Sequence, residues 1–114
     1  MRRDDERLQD ILEAIESAGR FASGRSRKDL DADELLTAGL VHMIVVIGEA
    51  AAAVSERTKS GLPDLPWRGM MGMRNVVVHA YWRVDLDALW RTVEHDLPEL
   101  AAGVRRALRR SGED

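Results

Sequence analysis

Between Arg74 and Tyr81 the chain reads Arg-Asn-Val-Val-Val-His-Ala-Tyr, so an arginine, an amide, a histidine and a tyrosine punctuate an otherwise apolar stretch. Arginine always carries its charge, histidine titrates near neutral pH, and tyrosine offers a hydroxyl of high pKa. That set suits chemistry on a phosphodiester better than chemistry on a carbonyl. Cleaving RNA this way needs no metal: a base takes the proton of a 2′-hydroxyl, an acid protonates the leaving 5′-oxygen, and a cation stabilises charge on the phosphoryl oxygens. His79 fits the first two roles and Arg74 the third. Asn75 can orient either residue or hold a phosphate, since an amide in mid-helix is a poor helix former and needs a reason to be there. The bland reading of the same residues is a helix end: His79 at the negative dipole terminus, Tyr81 packed with its hydroxyl wet, Arg74 paired with a carboxylate.

The elements that must position these residues read as helices. Leu8, Ile11, Leu12, Ile15, Ala18, Phe21 and Ala22 recur at spacings of three and four, which predicts an amphipathic helix over 4–22. Ser23 to Lys28 supplies a loop. Asp31 and Glu34 are spaced as an N-cap and its partner for a second helix over 32–58. Pro66 suits the first position of a third helix running to about His79, with Trp67, Met70, Met71, Val77 and Val78 available for packing. Asp85 can cap a fourth helix whose inner side carries Leu86, Leu89, Trp90, Val93 and Leu97, and Pro98 should kink or split it before the portion from Leu100 to Leu108. The expectation is one all-α domain over residues 1–114, an antiparallel bundle of four to five helices.

At 114 residues, 45% hydrophobic and 32% charged, the chain can bury a core without staples. It has no cysteine and only three dispersed histidines, so a disulfide framework and a zinc site are not expected, and no cofactor is implied. The net charge of −3 argues against a protein that coats nucleic acid or grips DNA through many phosphates. A local basic site remains compatible with that balance, and the arginines gather at Arg25 and Arg27, at Arg68 and Arg74, and from Arg105 to Arg110. The N-terminus turns acidic at once, and the longest unbroken apolar stretch, Met43 to Ile47, is short for a bilayer, so a cytoplasmic protein without a membrane segment is expected.

On a straight helix, residues five apart lie about 140° from each other, which leaves Arg74 and His79 of one chain poorly placed to grip one phosphate. Two arrangements relieve this. The helix can end near Val78 so that His79 swings out on a loop, or a two-fold dimer can bring Arg and His of both chains around one cleft. The second helix is apolar almost all round from Leu35 to Val54, which suggests a self-association surface and favours the dimer. In it His42 reads as structural or interfacial, and Glu49 as either a buried partner for an arginine or a part of the cleft. Trp82, beside Tyr81, is the aromatic residue best placed to stack a base.

The run from Arg74 to Tyr81 resembles the signature of HEPN-domain proteins, in which four to six residues separate an arginine from a histidine, and its extension to Tyr81 resembles the HepT toxin branch. The resemblance reaches across nearly the whole chain: Ile47 to Ala50, Pro66 to Arg68, Met73 to Asn75, His79, Tyr81, Val84, Asp85, Trp90 and Asp96 to Pro98. It implies a helical homodimer that acts as a metal-independent endoribonuclease toxin. Its implied partner is an MNT-type nucleotidyltransferase antitoxin that adds AMP to the motif tyrosine, here Tyr81. A bulky anion two residues after His79 would occlude the cleft and repel RNA. The competing reading is a non-catalytic helical module that clamps a nucleotide or substrate for a separate nucleotidyltransferase, and the third is a plain dimerisation bundle.

Overall fold

The computed structural model describes residues 2–80 and 85–113, with the backbone alone at 2, 76–80, 112 and 113. Among the described residues every regular element is helical: α1 (Arg2–Ala22), α2 (Asp29–Ala32), α3 (Glu34–Ala53), α4 (Glu56–Gly61), α5 (Trp67–Ala80), α6 (Leu86–Arg91) and α7 (Leu97–Glu113), with a π-helical segment over Thr92–Asp96 joining the last two. The all-α expectation holds.

α1 forms as its periodicity dictates. Leu8, Ile11, Leu12, Ile15 and Ala18 are buried on one face, Asp4 and Asp5 sit in the first turn where the helix dipole favours anions, and Gly24 takes the left-handed φ of +73° that lets the chain turn after it. The start of α1 meets the far end of α3, where Asp4 accepts from the Ser55 N–H (3.1 Å) and the Ser55 hydroxyl (2.6 Å) and also from the Thr58 hydroxyl. The end of α1 meets the first half of α3, where the Phe21 ring lies over Gly39. These two helices are therefore antiparallel. α7 runs antiparallel to α1 as well, since Ser111 near its end donates to Asp5 (2.6 Å) and Arg105 pairs with Glu16 (3.3 Å). The core that the helices share is centred on Leu8, Ile11, Leu40, Ile47, Met70 and Val104, each at most 2% exposed.

The expected second helix over 32–58 is three helices. Asp33, not Asp31, is the N-cap of α3, accepting from the Leu36 N–H at 3.0 Å, and α2 is a separate turn before it. α3 stops at Ala53, Val54 is extended, and Ser55 starts α4 by accepting from the Thr58 N–H (3.2 Å). The serine outcompetes helix continuation because its hydroxyl gives an orphan amide a partner, and the buried Asp4 carboxylate holds that serine in place. Arg25 and Arg27 clasp the connection before α3: Arg25 pairs with Asp33 at 2.8 Å, and Arg27 with Asp31 at 2.8 Å and Asp87 at 2.6 Å. Those two arginines are engaged with carboxylates.

Pro98, expected to kink or split the last helix, does not split it. Its missing N–H and its ring disrupt the ladder at the carbonyl four residues earlier, and the chain answers by widening one turn, with the Leu97 N–H bonded to the Thr92 carbonyl. The helix then continues through Leu97–Glu113. Asp85 caps α6 as expected, accepting from the Ala88 N–H at 3.0 Å.

α3 also corrects the expectation that no segment is long enough for a bilayer. The residues Glu34–Ala53 have a mean hydropathy of 1.9 and pass that test by length and composition, because the isolated polar residues that interrupt its apolar runs barely lower the mean. In the fold this helix is packed by α1 and α5, and its polar His42 and Glu49 would be costly at the centre of a membrane.

Candidate active site

The site is built where α5 crosses α3. Pro66 ends the preceding loop, the Met70 N–H bonds the Pro66 carbonyl at 2.9 Å, and α5 begins at Trp67. Its first turns are anchored to α4: the Trp67 indole N–H donates to the Leu62 carbonyl (2.9 Å), and the Lys59 ammonium, itself nearly buried, lies 3.3 Å from the Met71 sulfur and 6.0 Å from the centre of the Trp67 ring. One turn further on, Met70 fills the core. Then comes Arg74, whose backbone rests on Gly48 of α3. A Cβ at Gly48 would lie 2.6 Å from the Arg74 backbone nitrogen and 2.9 Å from its Cβ, separations that real side chains do not reach. Only glycine allows this approach.

Arg74 is half-buried, and among the described residues no carboxylate lies within ion-pairing distance of its guanidinium. The bland expectation that Arg74 pairs with a carboxylate therefore finds no support there. Asn75 is exposed beside it. Glu49 is exposed rather than buried under an arginine, and it lines a groove of about 730 Å³ between α1 and α3 together with His42, Asp10 and Glu13. The fold thus brings Gly48 against Arg74 and turns Glu49 toward α1. His42 is exposed on the same groove.

α5 runs to Ala80, so the backbone of His79 is helical and does not leave on a loop. This overturns the first of the two arrangements that would join Arg74 and His79 in one chain: on one helix they remain about 140° apart. The side chain of His79, and Tyr81, Trp82 and Val84 altogether, lie outside the described residues. Among the described residues no group of three acidic, histidine or cysteine side chains is placed to hold a metal ion.

Sequence reading missed two features. One is the purpose of Gly48, which only its contact with Arg74 reveals; the signal present was a lone glycine inside an apolar helix run. The other is the buried Asp4 with Ser55 and Thr58, whose partners lie too far along the chain for spacing to disclose.

Residues 11–107 match the family model described as ribonuclease HepT-like, a span that includes the core of α1, Gly48, and all of α5. A protein of Thermococcus cleftensis named "Probable ribonuclease HepT" is 37% identical over 93 residues, covering 82% of this chain and 84% of the relative. A protein of Caldanaerobacter subterraneus subsp. tengcongensis named as a putative RNase is 29% identical over 103 residues, covering 90% of this chain and 92% of the relative. No solved structure gives a significant match. With the family match running through the helices that seat Arg74 on Gly48, the chain belongs to the HepT-like ribonuclease family.

Proposed function

We propose that this protein is the toxin of a HEPN/MNT toxin–antitoxin pair, a metal-independent endoribonuclease of the cytoplasm whose cleft forms between two copies of the chain. The observation that carries the reading is the half-buried Arg74, held by its backbone on Gly48 and left without a carboxylate partner among the described residues, in a chain whose family is named for RNA cleavage. A cation kept in place and not neutralised is what a developing phosphoryl charge requires. The helical backbone at His79 supports the two-chain cleft, because one α5 cannot direct both residues at the same phosphate.

In this reading His79 accepts the 2′-hydroxyl proton, the 2′-oxygen attacks phosphorus, and the bond to the 5′-oxygen breaks. That oxygen is protonated by a second acid, supplied by His79 of the partner subunit, and the products are a 2′,3′-cyclic phosphate and a 5′-hydroxyl. Arg74 holds the phosphoryl oxygens, and Asn75 beside it orients the phosphate. A cognate nucleotidyltransferase transfers AMP from a nucleoside triphosphate to the Tyr81 hydroxyl with release of pyrophosphate, and the added anion keeps RNA out.

The test is cleavage of a labelled RNA panel in EDTA by protein whose intact mass shows no AMP adduct, with His79→Ala alongside. Cleavage by the unsubstituted protein alone, leaving cyclic phosphate ends, is expected. No cleavage by either protein overturns the nuclease reading in favour of the nucleotide-binding module.

A further inference from the structure

The last turns of α7 carry a run of arginines. Arg105 pairs with Glu16 of α1 at 3.3 Å. Arg106, Arg109 and Arg110 are exposed, and among the described residues no carboxylate lies within ion-pairing distance of any of them. At about 100° per residue the three fall within one arc of roughly 100°, at spacings of three and four where like charges repel. The negative end of a helix favours a cation in its last turn, which accounts for Arg110. It does not account for Arg106, two turns from the end, where that effect has faded.

The fold gives this strip a shape. A Cβ at Gly103 would lie 2.8 Å from Cδ2 of the buried Leu65, so the missing side chain lets the loop before α5 seat against α7, and the Arg106 guanidinium reaches back to within 3.7 Å of the same position. A small cleft of about 60 Å³ remains between residues 62–65 and α7, and Arg106 and Arg110 line it. Asp64 lines it as well, and Asp96 and Glu99 line the larger groove that Arg106 also borders. Those carboxylates repel a polyanion from the groove and leave the outward strip of arginines as its track.

The strip lies at the same end of the bundle as the candidate active site. Arg106 is in the last two turns of α7, and Gly48, which seats Arg74, is in the last two turns of α3. Both helix ends meet the start of α1, through Ser111 with Asp5 and Ser55 with Asp4. A strand of several nucleotides can therefore meet both.

We infer that Arg106, Arg109 and Arg110 form a second RNA-binding surface, which holds backbone phosphates of the substrate away from the bond that is cut. The inference rests on the ribonuclease reading proposed above, to which it adds where the rest of the strand is gripped. Contacts of this kind fix position without reading sequence.

The test is fluorescence anisotropy of the full chain with a labelled single-stranded RNA of about 20 nucleotides, its 2′-hydroxyls methylated so that it cannot be cleaved. The triple variant R106Q/R109Q/R110Q, with helical circular dichroism unchanged, should bind at least about tenfold more weakly, and the slope of log affinity against log salt should be shallower by about 2, since each lost contact to a single strand removes about 0.7. Arg106→Gln alone should show about a third of that change in slope. Arg20→Gln, near the opposite end of α1, should show none. No binding by the unsubstituted protein, or an equal loss through Arg20→Gln, overturns the surface. A triple variant with unchanged affinity and salt slope overturns it too, and reassigns the strip to an acidic protein partner. The EDTA cleavage assay decides the ribonuclease reading separately: cleavage together with any of these results leaves that reading standing and removes the surface alone.

Discussion

Gly48 and Arg74 are in backbone contact: the space a Cβ would occupy on Gly48 already holds the Arg74 amide nitrogen at 2.6 Å and its Cβ at 2.9 Å. The position of the candidate catalytic cation is thus fixed by a missing side chain on the neighbouring helix. Ile47, on the residue before, is fully buried, and Ala50 and Ala51 continue the close packing, so α3 has little freedom to retreat.

Gly48→Ala should therefore cost stability despite alanine's better helix propensity. The obstructing atoms are backbone and not the end of a flexible side chain, and overpacking of this kind costs about 1–3 kcal/mol, against the roughly 1 kcal/mol that alanine gains over glycine in a helix. Urea denaturation reads the first effect. Cleavage at a denaturant-free temperature where the variant is fully folded reads the second, since α5 must shift at Arg74. A variant as stable and as active as the original would mean that the two helices separate freely.

Arg74→Lys tests whether planar charge matters at the site or charge alone. A lysine ammonium cannot present the guanidinium's parallel donors to a phosphate, so turnover should fall by roughly 10²-fold while melting is unchanged. His79→Ala should fall by about 10²- to 10⁴-fold in the same assay, the usual worth of acid–base help. If both variants cleave RNA as fast as the original, neither residue takes part in cleavage.

Tyr81→Phe separates control from chemistry. It keeps the ring and removes the hydroxyl proposed to accept AMP, so it should cleave RNA in the presence and the absence of the proposed nucleotidyltransferase, with no gain of an AMP mass when the two are mixed with nucleoside triphosphate. An adduct of that mass on the phenylalanine variant would place the modification elsewhere.

The long helices were legible because their signals are local. The three-and-four spacing from Leu8 to Ala18 and the cap at Asp85 are written within a few residues of where they act, and the structure has both. The boundaries of α3 were not, because two aspartates compete for one cap, and each has an arginine partner; what marks Asp33 is the Leu36 amide that it accepts from. Pro98 announces a disturbance in the sequence, but not that a π turn absorbs it. The run from Arg74 to Tyr81 stood out by residue type alone. Its support did not: nothing in the spacing of Gly48 and Arg74, on different helices, announces that they touch.

The same limit hid Asp4, whose carboxylate is 4% exposed and ties the start of α1 to the junction of α3 and α4. Hydrogen bonds from the Ser55 hydroxyl, then the Thr58 hydroxyl, hold its pKa below the ordinary carboxylate value against the opposing effect of burial. A carboxylate whose pKa is lower folded than unfolded stabilises the fold above its unfolded value of about 3.9 and loses that contribution as pH falls through the folded value. Asp4→Ala should cost about 1–3 kcal/mol near neutral pH, where it strands the Ser55 and Thr58 donors. The part of that difference that belongs to ionisation should shrink as both proteins are melted at successively lower pH below about 4. A gap that stays constant across that range would show that Asp4 acts through packing and not through its charge.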